Sequence, residues 1–198
     1  MNILILGSGI VGANLAKKLS EQGKNVFLLD DDINELKNLA ERFDIKTIYD
    51  DPLNPSFYKN FESKIIHIPG HTNGHICFYF EKEKIAFTGD TLFSLGCGRI
   101  FEGSYEEMFF SLNKLKKLPK ETKIYCGHEY TLKNSEFCLR NDKNNLELKN
   151  KILEIKKKIN SQVPTVPSTI GDELACNIFL RADTIEKFSK LRDLKDNF

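Results

Sequence analysis

The 198-residue chain carries 29 Lys and Arg against 28 Asp and Glu, a formal net charge of +1, with 40% hydrophobic residues. That balance suits a globular protein with a real core and offers no footprint for nucleic acid or another polyanion. Five cysteines without a Cys-x-x-Cys pair form no disulfide framework, so a reduced, cytoplasmic setting is expected, and no apolar stretch is long enough to predict a signal peptide or membrane insertion.

The chain begins with the apolar run 2–6, the turn Gly7-Ser8-Gly9-Ile10-Val11-Gly12, and Val11, Leu15 and Leu19 at helical spacing up to Gly23. A second apolar run, Val26 to Leu29, ends at Asp30, 18 residues after Gly12. This order fits a Rossmann-type dinucleotide site. Gly7, Gly9 and Gly12 let the backbone approach a pyrophosphate at a helix N-terminus, and Asp30 can bind a ribose hydroxyl, which favours NAD. The bland alternative is a glycine turn that joins strand to helix and binds nothing. Asp32 and Glu35 open a second helix with an expected buried stripe of Ile33, Leu36, Ala40 and Phe43, and a third strand follows at Ile45 to Ile48. Asp50 to Pro55, with two prolines and two acids, is the predicted boundary.

Past it, Lys64 to His67, His75 to Phe80 and Lys84 to Phe87 read as strands, and 88–103 as a long glycine-containing loop of the kind that carries function. Ser104 with Glu107 starts a helix that buries Met108, Leu112 and Leu115 and stops before Pro119. Ile124 to Cys126 is a last short strand. Beyond Thr131 the periodicity is helical, with Leu148, Ile152, Ile155 and Ile159 on one stripe and Ile185, Phe188, Leu191 and Leu194 on another. Lys156-Lys157-Lys158 reads as a solvated face.

Three short pieces concentrate the chemistry: Pro69-Gly70-His71-Thr72-Asn73-Gly74-His75, Thr88-Gly89-Asp90-Thr91 and Cys126-Gly127-His128-Glu129-Tyr130. Each sets an imidazole or carboxylate in a glycine turn beside a strand, as metal sites are built, and imidazole with carboxylate suits zinc or a similar divalent ion. His71 and His75 stand at His-x-x-x-His spacing, but Pro69, Gly70 and Gly74 exclude a helix that would put both on one face. His75 and His67 are expected to bond backbone instead.

Together with Phe87-Thr88-Gly89-Asp90-Thr91-Leu92-Phe93, Gly96-Cys97-Gly98-Arg99, Phe101-Glu102-Gly103, Pro164 to Ile170, Asn177-Ile178-Phe179-Leu180-Arg181 and the closing Leu191 to Phe198, these pieces resemble glyoxalase II from about residue 64 onward. That family, hydroxyacylglutathione hydrolase, consists of dinuclear metal thioesterases of the metallo-β-lactamase fold. The resemblance implies hydrolysis of S-(2-hydroxyacyl)glutathione thioesters, with His71 on one metal, His128 on the other and Asp90 bridging them as the catalytic carboxylate. It also implies glutathione contacts from Arg99, Phe101, Tyr130 and Arg181. Ile178 departs from the family's Pro, and Ala182, Asp183 and Thr184 supply no second cation. The family takes its other ligands from a Thr-His-x-His-x-Asp-His motif. This chain, with only four histidines, has none.

Residues 1–58 are similar instead to the first half of the nucleotide-binding domain of Trk-type potassium-uptake regulators. The expected fold is therefore α/β. A truncated Rossmann-like βαβαβ unit (1–58) precedes the second half of a metallo-β-lactamase αββα domain (59–130) and a helical substrate-binding region (131–198). Weak or absent hydrolysis by the chain alone is expected, with a partner chain a candidate for covering the missing half-domain. The alternative is a NAD-binding regulatory module.

Overall fold

The computed structural model describes residues 2–7, 10–43, 45–49 and 63–198. The chain divides into two compact units, 1–62 and 63–198. The predicted boundary at 50–55, and Gly9 with it, lies outside the described residues.

In the first unit, strand β1 (Asn2–Leu6), helix α1 (Ile10–Glu21), strand β2 (Asn25–Asp30), helix α2 (Ile33–Arg42) and strand β3 (Lys46–Tyr49) follow one another. The strands pair in parallel in the order β1-β2-β3, as two successive helical crossovers of one hand require. Asp32 caps α2 by accepting the amide protons of Asn34 and Glu35. Ile5, Ala16, Val26, Leu28, Leu36, Leu39 and Ile45 form its core cluster among the described residues, and Leu29 is buried as well. Two stripes expected from sequence shift by about one residue. Leu15 is 47% exposed while Ala16 is sealed, and Leu36 with Leu39 replaces Ile33 and Ala40 on the inner face of α2. With only three strands to cover, each helix buries the narrow stripe nearest the sheet and leaves its flanks in water.

The second unit is built on five strands in the order β10-β9-β6-β5-β4. Strands β4 (Ser63–His67), β5 (Ile76–Phe80) and β6 (Ile85–Gly89) run antiparallel, as hairpin-length connections demand. The chain then makes the two-residue strands β7 (Leu92–Phe93) and β8 (Gly96–Cys97), crosses through helix α3 (Tyr105–Leu115), and returns as β9 (Lys123–Cys126), parallel to β6. Ser104 and Glu107 form the expected reciprocal capping box on α3. Helices α4 (Thr131–Asn141) and α5 (Leu146–Asn160), strand β10 (Ser168–Thr169), and helices α6 (Ile170–Cys176) and α7 (Ile185–Asp196) complete the unit.

Strand alternation sorts the sheet's faces. Cys77, Tyr79, Ala86 and Ile124 join Met108, Leu112 and Leu115 of α3, Phe137, Leu148, Ile152 and Phe188 of the later helices, and Phe179 from the turn between α6 and α7 in one continuous core. On the opposite face Ile65, Phe78, Phe87 and Tyr125 align across four strands. Phe87 there is 46% exposed and stacks on Tyr125 with ring centroids 5.3 Å apart. The parallel return of β9 beside β6 brings the turns after both strands, carrying Asp90 and His128, to the same end of the sheet. Among the described residues no helix is long and apolar enough to cross a membrane.

Glu173 on α6 is fully buried, where its carboxylate accepts the Leu95 amide and the Asn177 side-chain amide, each at 2.8 Å. Burial pushes its carboxyl up to about 7 from the ordinary value of 4.5. Between those values the folded chain keeps a proton that the unfolded chain releases, so stability falls as pH rises through this window, by up to about 1.4 kcal/mol per pH unit. Urea unfolding at several pH values is expected to show this slope in the parent and its loss in Glu173→Gln.

Candidate metal centre and its cavity

Each of the three turns holds its functional side chain by backbone constraints set in the local sequence. In the turn after β4, the Phe101 and Glu102 amides donate to the His71 carbonyl, at 3.2 and 3.4 Å, and the Asn73 amide donates to Glu102 at 2.9 Å. His71 Nδ1 donates to the Arg99 carbonyl at 2.8 Å, which fixes the tautomer and leaves the Nε2 lone pair free. Asp90 follows β6, its backbone N–H donating to His75 Nε2 at 2.9 Å. His128 follows β9. Behind it, the Glu129 carboxylate accepts the Thr165 amide at 2.6 Å and also the Thr165 hydroxyl, tying this turn to the segment before β10.

His71 Nε2 and His128 Nε2 each lie 3.5 Å from the same oxygen, Asp90 Oδ2. The other carboxylate oxygen, Oδ1, is buried and accepts no hydrogen bond. These donors match a divalent ion in kind, two neutral imidazole nitrogens and a carboxylate oxygen with its partner oxygen unused. They fall short in number. Among the described residues no group of three or more His, Cys, Asp or Glu side chains is gathered to hold one ion, so the arrangement is two histidine–aspartate pairs that share one carboxylate.

His75 and His67 stay out of this set. His67 Nε2 donates to the Asn73 carbonyl at 2.8 Å, while His75 lies between Thr72 Oγ1, 3.3 Å from its Nδ1, and the Asp90 amide. Burial, with His71 nearby, holds the His75 pKa below its ordinary value, against the opposing pull of Asp90.

The three donors open into a cavity of about 460 Å³, ample for a small-molecule ligand. Its walls include Arg99, Phe101 and Tyr130, as expected. Phe101 packs against His71, its ring centroid 4.8 Å away, and Tyr130 stacks on His128 at 5.0 Å. Arg181 is not among them. It pairs with Asp142 and lines a separate depression with Asn141 and Lys187.

In its place the cavity takes Lys133 from α4 and Arg192 and Lys195 from α7. Sequence reasoning passed these over, although Arg192 and Lys195 stand one helical turn apart in the quoted C-terminal motif. Arg192 is 3% exposed, donating to the Cys97 carbonyl and to Asp196, each at 2.8 Å. Burial and the neighbouring Arg192 push Lys195 down to about 8. Asp196 also meets Arg99 at 3.2 Å, so Lys133 and Lys195 offer the cavity's less encumbered positive charge.

In the first unit, Gly7 donates its amide proton to the Leu29 carbonyl at 2.8 Å, and Gly12 sits in the first turn of α1 over the Gly7 carbonyl. Asp30 ends β2 with one carboxylate oxygen accepting the Asp32 amide.

Three family models match successive parts of the chain: the TrkA-N domain over residues 3–65, the metallo-beta-lactamase superfamily over 59–128, and the hydroxyacylglutathione hydrolase C-terminus over 129–198. A hydroxyacylglutathione hydrolase of Pelagibacter ubique is 65% identical over 140 residues, covering 71% of this chain and 59% of that protein. One from Prochlorococcus marinus is 47% identical over 136 residues, covering 68% and 55%. The chain thus spans less than two thirds of the length of these relatives.

Among solved structures, the B3 metallo-beta-lactamase BLEG-1 superposes with a TM-score of 0.51 at 21% identity, covering 90% of this chain and 88% of its own. TTHA1623, solved in a di-iron-bound form, gives 0.51 at 20%, covering 88% and 87%. The fold is accordingly a Rossmann-type βαβαβ unit followed by the second part of a metallo-beta-lactamase fold with a helical C-terminal region.

Proposed function

We propose that residues 63–198, which are similar to the C-terminal portion of hydroxyacylglutathione hydrolases, bind a divalent metal through His71, Asp90 and His128 and act on 2-hydroxyacyl thioesters of glutathione. The observation that carries this reading is the approach of two imidazole Nε2 atoms to one oxygen of a half-buried carboxylate in the wall of a cation-lined cavity. A divalent ion bound there supplies Lewis acidity toward a carbonyl oxygen and makes water a better nucleophile at neutral pH.

The chain's own residues do the rest. His71, locked on the Arg99 carbonyl, presents Nε2 without reorganisation. Lys133 and Lys195, with Arg99, attract the two carboxylates of glutathione, and Phe101 and Tyr130 pack against the rings of His71 and His128. With two donors per pair instead of the usual three or so per ion, turnover by the chain alone is weak. Its five cysteines, all free thiols, suit a reduced, cytoplasmic compartment.

The test compares thiol release by the zinc-loaded protein from S-lactoylglutathione and from S-lactoyl-N-acetylcysteamine, which has the same acyl group and no carboxylates. A kcat/KM at least about tenfold higher for the glutathione ester is expected from charge-assisted contacts. Equal values, or no release from either, overturn the reading.

A second reading concerns the first unit, favoured by the parallel β1-β2-β3 order with Asp30 at the C-terminal end of β2. It is NAD binding at the β1–α1 turn, serving regulation rather than catalysis. Saturable binding of NAD that is lost in Gly12→Val supports it, and a flat titration of the parent removes it.

A further inference from the structure

We propose that His75 is the positioning residue for Asp90, holding the shared carboxylate in place by accepting its backbone N–H. This rests on the reading of Asp90 as a metal donor and concerns what fixes that donor.

Asp90 is the first residue beyond β6, where strand pairing no longer governs the backbone. Among the described residues its Oδ1 has no hydrogen-bond partner, and His71 and His128 each stand 3.5 Å from Oδ2. The carboxylate's aim is therefore set by the backbone that carries it, and that backbone's amide donates to His75 Nε2 at 2.9 Å. A ring nitrogen that accepts an amide proton carries none itself, so His75 is the Nδ1-protonated tautomer, with Nδ1 3.3 Å from Thr72 Oγ1.

The residue before Asp90 is shaped for this ring. Gly89 has φ of +50°, and a Cβ there would lie 2.4 Å from His75 Nε2, so only glycine admits the contact. Thr72, His75 and the Asp90 amide thus form a relay from the turn bearing His71 to the turn bearing Asp90. The engaged Nε2 also removes His75 as a ligand, although its ring centroid is only 5.6 Å from that of His71.

The experiment has a metal-free arm and a metal arm. In uniformly labelled apo-protein, NMR is expected to show through-hydrogen-bond nitrogen–nitrogen coupling between the Asp90 amide and His75 Nε2, with slowed exchange of that amide. His75→Leu is expected to speed its exchange at least about tenfold. In the second arm, cobalt(II) alone is titrated into parent, His75→Leu and His75→Gln. Leucine weakens binding about 10- to 100-fold, the usual cost of losing a group that orients a ligand, and glutamine, whose side-chain oxygen can accept the same N–H, recovers most of it.

Absence of the coupling in the parent overturns the proposal, and this holds even if the leucine variant fails to fold. So does a leucine variant with parental exchange and cobalt affinity, or a folded glutamine variant as impaired as leucine. A parent that binds no cobalt defeats the metal reading, while Asp90 amide exchange still decides the role of His75.

Discussion

Asp90→Ala is expected to lower divalent-metal affinity by at least about 100-fold and to bring thiol release from S-lactoylglutathione down to the buffer rate. Losing a group behind a metal ligand typically costs about 10- to 100-fold. Here the lost group is the one oxygen that both His71 and His128 approach at 3.5 Å, so both pairs fail together. Oδ1 is buried and unpartnered, so removing the carboxylate also relieves an uncompensated desolvation, and the variant should fold at least as stably as its parent. Loss of affinity without loss of stability, from calorimetric metal titration beside thermal unfolding, is the signature that separates a functional carboxylate from a structural one. Asp90→Asn, which keeps the shape and one carbonyl donor, should fall between.

Gly98→Ala is expected to damage fold and site together. A methyl group on Gly98 would stand 1.9 Å from the Asp90 carbonyl oxygen and 3.2 Å from His71 Nδ1. The nearer atom is backbone, held by the turn in which the Thr91 amide donates to the Thr88 carbonyl and the Gly98 amide to the Thr91 carbonyl, at 3.1 and 3.2 Å. Neither obstacle can rotate aside as a flexible side-chain end would. Overpacking of this kind costs typically about 1–3 kcal/mol and more where backbone must move. A loss of about 3 kcal/mol is expected, a fall of roughly 10 °C in melting temperature for a unit of this size. The displacement passes into both Asp90 and His71, so metal affinity falls as well. A melting temperature within about 2 °C of the parent would mean that the loop accommodates the methyl and that the Asp90–His71 geometry is not set by this packing.

Much of this architecture is written locally in the chain. The Ser104–Glu107 box, the apolar periodicity of α3 and the three glycine turns are short-range patterns found where they are expected, and the α5 stripe holds at Leu148, Ile152 and Ile155 but not at Ile159, which is 39% exposed near the helix end. The stripes that failed did so because helix periodicity tells which residues share a face but not which face the sheet takes. Leu194 is 55% exposed while the charged Arg192 is sealed between the Cys97 carbonyl, Asp196 and the Phe179 ring. An apolar count cannot foresee a guanidinium placed inward by its hydrogen bonds.

The candidate donors His71, Asp90 and His128 are legible as glycine-flanked residues at strand ends. Their meeting depends on β9 returning parallel to β6 through α3, which no local signal announces. No local signal marks Lys133 and Lys195, which stand 62 residues apart in sequence and reach the cavity from different helices, close enough for Lys195 Nζ to donate to the Lys133 carbonyl at 3.4 Å. The resemblance assigns Arg181 to the glutathione contacts, whereas Asp142, 39 residues upstream, takes its guanidinium. The two-residue strands β7, β8 and β10 are too short for any periodicity to register.

The central claim, a divalent metal held by His71, Asp90 and His128, is tested most directly by metal per chain: elemental analysis of the 198-residue protein after zinc loading and exhaustive dialysis, beside Asp90→Ala. The account predicts zinc retained by the parent at one to two ions per chain and absent from the variant. Equal zinc in the two proteins, or none in either, would contradict it.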